Sequence, residues 1–205
     1  MIEQTLQSAI TDQWPMMLIF TVLVVSIRLM YLIVHKEKFI FYKELFMLCA
    51  IIYAMLLFYV VTFQDVNYGT NNFIPFREIL RYEIGSKTFI NNILGNIIMF
   101  IPFGLFISYI LKTRKIIPTL IITFITSTVI ECIQLGIGRT FDIDDILLNI
   151  VGGIMGYLIY LFFNVFESHL PKFFSTILFK NILTILLFII TIIIYINSDL
   201  WGILR

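Results

Sequence analysis

The stretch of sequence that decides the fold is IIPTLIITFITSTVIECIQLGIGRTFDIDDILLNIVGGIMGYLIYLFF, residues 116–163. It contains two apolar runs of about 20 residues, the length that crosses a bilayer as a helix, separated by a short polar stretch. Four of the thirteen acidic residues of the chain lie in the nineteen positions from 131 to 149. Because ionisable groups are costly in a bilayer, this polar cluster indicates a functional site. Its members are Glu131, Gln134, Arg139, Asp142, Asp144, Asp145 and Asn149.

The composition of the whole chain is typical of an integral membrane protein. Of its 205 residues, 60% are hydrophobic and 13% are charged, whereas a soluble domain has about 25% charged residues. The mean hydropathy is +0.99. The net charge is only +1, and the chain has no long basic run, so the charge gives no reason to expect nucleic-acid binding. We therefore predict a single membrane domain over residues 1–205.

Six apolar runs have the length and polarity of membrane spans. None shows the alternation of outer-membrane strands, so the predicted fold is all-α, a polytopic transmembrane helical bundle of five to six spans. The predicted spans are residues 15–34, 44–63, 89–111, 116–135, 143–163 and 182–196.

Lys and Arg residues in the connecting loops predict the orientation of the chain, because cytoplasmic loops are enriched in them. Eight basic residues fall on one side and five on the other, and the N-terminal segment has none. The count predicts an extracytoplasmic N-terminus. The polar cluster then also faces the extracytoplasmic side.

Topology brings a second polar segment to the face that carries the cluster. In a chain that crosses the membrane alternately, the loop between spans two and three lies on the same side as the loop between spans four and five. The first loop, residues 64–78, contains Asn72 and Arg77. Span three starts at this face with Asn92 and Asn96, which are four residues apart and share one side of a helix. We expect all four side chains near the acidic cluster.

The residues of the cluster form two polar stripes at helical spacing. Glu131 and Gln134 are three apart near the end of span four, and Asp142, Asp145 and Asn149 are three and four apart where span five begins. A short loop joins the two spans, so these stripes can face each other across an antiparallel helix pair. The predicted result is a pocket that opens to one membrane surface.

Two glycines one turn deeper in span five predict close helix packing below that pocket. Gly152 and Gly156 have the small-xxx-small spacing that lets membrane helices approach closely.

Ordinary structural roles explain part of the cluster. Asp142, Asp144 and Asp145 can cap the fifth helix, since acidic residues are favoured in a first turn. Asp144 points off the stripe, and capping or solvation is its favoured role. Glu131 lies about one turn inside an apolar run, where a carboxylate must be paired, hydrated or protonated. It is therefore the residue that capping explains least.

Several segments, in this order along the chain, resemble the VanZ-like family over residues 45–165. They are NFIPF at 72–76, GNI at 95–97, FIPFG at 100–104, ECIQ at 131–134 and RTFDIDD at 139–145, followed by Asn149 and Gly152-Gly153. The resemblance implies a core of four helices in a multi-pass protein of the bacterial cytoplasmic membrane. It also implies a link to the cell envelope and to resistance to teicoplanin, a glycopeptide that binds cell-wall precursor peptides.

Three mechanisms stay open at this point. In the first, the protein binds a lipid-linked cell-wall precursor or a glycopeptide at the outer leaflet, among membrane lipids. The predicted binding residues are Asn72, Arg77, Asn92, Asn96, Gln134, Arg139 and Asn149.

The second mechanism is a membrane-embedded enzyme. Glu131 would act as general acid or base, with Asp142 and Asp145 as its counterparts or as ligands of Mg²⁺. Carboxylates without His or Cys favour a hard cation over zinc. The third mechanism is a transporter or flippase in which Glu131 carries protons or cations. The crowding of polar residues at one face, rather than near the midplane, argues against transport.

Overall fold

A computed structural model describes the backbone of residues 2–63, 70–83 and 85–203, and the side chains there except 2–13, 61–63, 87, 91, 192 and 194–203. Residues 64–69 of the predicted polar loop lie outside the described residues. The predicted all-α fold is confirmed. The long helices are α1 (Ile2–Val34), α2 (Phe41–Phe63), α3 (Gly95–Leu111), α4 (Ile116–Gly136), α5 (Ile143–His169) and α6 (Ile177–Ile203).

Five of the described helices are long and apolar enough to cross a membrane. The segments with this length and composition are Trp14–Val34, Phe41–Val60, Asn92–Leu111, Ile116–Gly136 and Ile143–His169. The chain is therefore a multi-pass membrane protein. In α6 the apolar stretch Ile177–Thr191 is shorter, so the sixth span stays a prediction.

Irregular backbone precedes α3 at the face that carries the polar cluster. A 3-10 turn, Ile79–Arg81, lies within the segment of residues 70–83, which we call the 70–83 loop. A helical turn at Lys87–Phe89 then leads through a π-helical turn at Ile90–Leu94 into α3. Such π turns are rare and occur often at functional sites.

The centre of the bundle is a close contact between α3 and α5, made by glycines. A Cβ atom added to Gly156 would overlap the carbonyl oxygen of Ile101, and one added to Gly152 would overlap that of Ile97. From the other side, a Cβ on Gly104 would overlap the carbonyl oxygen of Gly153. The two backbones therefore touch, as the small-xxx-small spacing predicts. This contact holds the first turns of α3 and α5 side by side.

Candidate functional site

A polar cavity of about 250 Å³ lies where the 70–83 loop meets the beginning of α3, the end of α4 and the beginning of α5. The structure brings all of the predicted site residues except Arg77 to its lining. These are Asn72, Asn92, Asn96, Glu131, Gln134, Arg139, Asp142, Asp145 and Asn149. The alternating topology is what joins residues from such distant parts of the sequence.

The structure corrects the placement of Arg77. Its N–H donates to the carbonyl of Ile74 at 3.3 Å, in a turn that leaves the Arg77 side chain exposed. Arg81, one turn further along, lines the cavity in its place. The two arginines are four residues apart, and nothing in the sequence indicates which of them reaches the cavity lining.

Asn72 joins the 70–83 loop to the beginning of α5. Its N–H donates to the Phe141 carbonyl at 2.8 Å, and its own carbonyl accepts from the Ile143 N–H at 3.0 Å. Its side-chain amide donates to Asp142 Oδ1 at 2.8 Å. Asp142 is the N-cap of α5 and accepts from the Asp144 N–H at 2.9 Å. Capping is thus confirmed for Asp142, whose carboxylate also holds the loop.

Asp144 differs most from its predicted role. Asp144 is 1% exposed, so the prediction that its side chain is solvated is wrong. Its carboxylate accepts from the backbone N–H groups of Phe76 at 2.5 Å, Glu78 at 2.8 Å and Ile79 at 3.2 Å. Phe76 has a left-handed backbone with φ of 67°, which is uncommon for a residue other than glycine. Asp144 therefore anchors the 70–83 loop, through partners that no sequence spacing indicates.

Glu131 lies at the wall of the cavity and is 2% exposed. Its Oε2 atom accepts from the Asp142 N–H at 2.9 Å. With its amide oriented to satisfy both neighbours, Gln134 donates to Glu131 Oε1 at 2.9 Å and accepts from Arg139 Nη1 at 3.0 Å. A buried carboxylate needs such partners. The three side chains and the Asp142 N–H therefore form one connected polar network.

Asparagines connect the remaining walls. Asn96 on α3 donates to Asp145 Oδ1 on α5 at 2.5 Å. Asn92, in the π-helical turn, donates to the hydroxyl of Tyr82 at 2.9 Å. Tyr82 also lines the cavity, and it was missed because nothing near it in the sequence marks it as polar-facing.

Comparison with known proteins agrees with this arrangement of motifs. A family model described as VanZ/LLP1 matches residues 44–164. The chain belongs to this family. It is also 33% identical over 99 residues to "Protein VanZ" of Enterococcus faecium, a match that covers 47% of this chain and 60% of that protein. No solved structure matches the chain.

The matched VanZ/LLP1 region contains the whole cavity and all of α3 and α4. It begins in α2 and ends within α5. Helices α1 and α6 lie outside it. The resemblance inferred from the motifs is confirmed.

Charged groups at the cavity mouth are incompletely hydrated. Burial lowers the pKa of the Arg139 guanidinium, while the carboxylates of Glu131 and Asp145 act in the opposite direction. Burial raises the pKa of Asp142 above its ordinary value, although the Asp144 N–H and Asn72 stabilise its carboxylate. Electrostatic interactions are stronger where water is scarce.

A row of buried polar side chains continues from the cavity along α4, one turn at a time. Its members, the α4 polar row, are Thr119, Thr123, Ser127 and Glu131. Ser127 accepts from Asn149 at 2.9 Å, and Thr119 lies 3.0 Å from the hydroxyl of Ser108. Within the described part of the chain, Thr123 Oγ1 and Asn149 Oδ1 are buried without a hydrogen-bond partner. Ser and Thr are common in membrane helices, so the sequence did not distinguish this row.

The predicted Mg²⁺ site receives no additional ligands from the structure. Among the described residues, no group of three or more His, Cys, Asp and Glu side chains is arranged to hold a metal ion. Asp142 Oδ1 accepts from Asn72 and from the Asp144 N–H, and Asp145 Oδ1 accepts from Asn96. Magnesium at Asp142 and Asp145 stays a prediction.

Proposed function

We propose that this VanZ/LLP1 protein binds the polar end of a lipid-linked cell-wall precursor in the cavity, at the extracytoplasmic face of the cytoplasmic membrane. The observation that carries the proposal is the cavity lining, which combines a desolvated guanidinium, amides and carboxylates at the end of membrane spans. Arg and amide side chains bind phosphate, sugar and peptide groups. Altered susceptibility to glycopeptides such as teicoplanin follows if the target precursor is sequestered or remodelled.

The size of the cavity favours the precursor over the antibiotic as ligand. Its volume of about 250 Å³ lies below the roughly 300–1,000 Å³ of pockets that enclose drug-sized ligands. A phosphate, a sugar or a peptide end fits this volume, whereas a whole glycopeptide does not. The lipid chain of the ligand would remain in the bilayer.

Binding is tested with the full chain in nanodiscs and a synthetic polyprenyl-diphosphate-linked sugar peptide as the probe. Arg139→Gln and Asn96→Ala should each weaken binding by at least about tenfold, because a hydrogen bond to a charged group contributes about 1.5–3 kcal/mol and about 1.4 kcal/mol corresponds to a factor of ten. Cys132→Ala, which changes an exposed residue next to Glu131, is the matched control. Equal affinity for Arg139→Gln and the control would contradict the proposal.

A membrane-embedded enzyme is the second candidate, favoured by the buried Glu131 carboxylate at the cavity wall. Glu131 would transfer a proton at the bound precursor, with Asp142 and Asp145 as charged counterparts. Glu131→Gln should then abolish turnover of the precursor while retaining its binding. Lipid-linked precursor profiling of cells that express either form measures this, and unchanged pools would argue against an enzyme.

Transport is the third candidate, and the α4 polar row favours it. The row extends the polar lining from the cavity to Thr119, near the opposite end of α4. Proton or ion movement in proteoliposomes, measured with a pH-sensitive dye, should be lost in Glu131→Gln and retained in Cys132→Ala. A dye signal equal to that of empty vesicles would exclude coupled transport.

We also propose that the N-terminus and the cavity lie on the extracytoplasmic side. In a chain without its native cysteines, single cysteines at positions 70 and 139 should react with an impermeant reagent from outside, and one at position 168 should not. Reaction at position 168 alone would reverse the orientation and place the cavity at the cytoplasmic side.

A further inference from the structure

The 70–83 loop has two chemically different sides. Asn72, Glu78 and Tyr82 line the cavity. Large apolar side chains on the same loop are exposed instead, at 57–82% of their surface. They are Phe73, Ile74, Phe76 and Leu80.

The backbone of the loop cannot turn these apolar side chains inward. Asn72 is bonded to Phe141 and Ile143 through its backbone, and Asp144 holds the N–H groups of Phe76, Glu78 and Ile79. The outward direction is therefore built into the fold. Four exposed apolar side chains so close together are unfavourable in water and mark a contact surface.

Basic side chains accompany the apolar ones. Arg77 lies between them and is exposed, and Arg81 lies beside them, with a side chain that is 74% exposed and 3.4 Å from Glu78. Apolar and aromatic side chains next to exposed Lys or Arg are typical of segments that lie in the interfacial layer of a bilayer. The basic residues contact anionic headgroups there.

The position of the 70–83 loop in the chain also favours contact with the bilayer. It connects α2 to α3, both of which are long and apolar enough to span the membrane, so the loop lies at the membrane surface. Ile90 and Leu94, in the π-helical turn that follows, are also exposed. Exposed apolar surface thus occurs on the loop and again on the first turns of the next span.

We propose that the 70–83 loop is an interfacial membrane anchor. Its apolar side is inserted at the boundary between headgroups and acyl chains, and Arg77 contacts anionic headgroups. The cavity behind the loop then opens at headgroup level, and lipid-linked molecules reach it from within the bilayer rather than from bulk water. Only this last step, lateral entry, rests on the proposed function.

The test measures the depth of single spin labels in full-length protein in nanodiscs of phosphatidylethanolamine and phosphatidylglycerol. The native Cys49 and Cys132 are replaced by Ser, and labels are placed through Ile74→Cys, Leu80→Cys and Phe73→Cys. Collisions with oxygen report the bilayer, and collisions with a water-soluble nickel chelate report water. Ile98→Cys on α3, at an exposed apolar position, is the bilayer reference. Lys115→Cys is the water reference, and Glu83→Cys, also exposed, is the polar control on the same loop.

Labels at positions 74 and 80 should prefer oxygen, as at position 98, and the label at position 83 should prefer the nickel chelate, as at position 115. Preference for the chelate at 74 and 80 would overturn the anchor, and shielding from both reagents would assign this surface to a protein partner. The label at position 73 repeats the measurement if either other variant elutes as aggregate.

Arg77 is tested in the same assay. Arg77→Glu should shift the label at position 74 toward the chelate in discs with phosphatidylglycerol but not in discs of phosphatidylcholine alone. An unchanged depth in both would overturn the headgroup contact. Because this assay contains no envelope precursor, a result that contradicts the membrane anchor is independent of whether the cavity binds a precursor.

Discussion

The α3–α5 pair and the α1–α2 pair are both apolar helix pairs, but they are held together differently. Glycines bring the backbones of α3 and α5 into contact. Between α1 and α2 a groove of about 180 Å³ remains, and an ion pair of 2.9 Å joins Arg28 to Glu44. Among the described residues, only the first pair contributes to the cavity lining. Close backbone packing therefore serves the geometry of the site, and the looser α1–α2 contact does not.

The largest expected effect comes from filling the glycine contact. Gly156→Ala places a Cβ against the carbonyl of Ile101, which belongs to helix backbone and cannot move aside. Overpacking of this kind costs about 1–3 kcal/mol, and we expect the upper end. Gly136→Ala is the matched control, since nothing lies within 4 Å of its added Cβ. Thermal unfolding in detergent measures both, and equal midpoints would show that α3 and α5 are not locked together.

Removal of the Asp144 carboxylate should have the next largest effect. Asp144→Ala leaves three part-buried backbone N–H groups of the 70–83 loop without their acceptor. Each hydrogen bond to a charged group contributes about 1.5–3 kcal/mol, but water can hydrate part-buried N–H groups, so we expect a total destabilisation of about 2 kcal/mol. Amide hydrogen exchange should accelerate at residues 76–79, with Glu83→Gln as the control on the same loop. Protection that persists in Asp144→Ala would mean that another group holds the loop.

The fold and most of the cavity lining can be predicted from the sequence, because both depend on patterns along the chain. Apolar runs determine the helices, and alternating crossings bring Asn72 and Asn96 to the face of Glu131. The positions of Asp144 and Arg77 cannot be predicted in this way, because a left-handed Phe76 and a short 3-10 turn set the directions of neighbouring groups. Such local backbone geometry leaves no periodic signal in the sequence. The Asp144 carboxylate that holds this part of the loop lies more than sixty residues further along the chain.

A smaller effect is expected from the charge of Asp142, and it depends on pH. Burial raises the pKa of Asp142 above the ordinary 3.8, so the folded state binds its proton more tightly than the unfolded state. The resulting stability is complete below pH 3.8 and is lost as the pH rises through the folded pKa. Asp142→Asn should therefore gain stability relative to wild type as the pH rises from 3.8 toward neutrality. Unfolding midpoints across this range measure the gain, with Gly136→Ala as a baseline that adds no titrating group. A constant difference between Asp142→Asn and wild type would mean that Asp142 has the same pKa in both states.

The smallest effect should come from the ion pair of the α1–α2 contact. The Arg28 side chain is 44% exposed but the Glu44 side chain only 14%, and the contact is bidentate. We therefore expect the upper part of the about 0–1 kcal/mol that surface ion pairs contribute. A double-mutant cycle with Arg28→Gln and Glu44→Gln should therefore give a coupling energy below about 1 kcal/mol. None of the described residues of α1 and α2 lines the cavity, so neither variant should alter precursor binding there. A coupling as large as the effect of Gly156→Ala would mean that α1 is fixed to the bundle as firmly as α5 is to α3. The difference between the two helix pairs would then disappear.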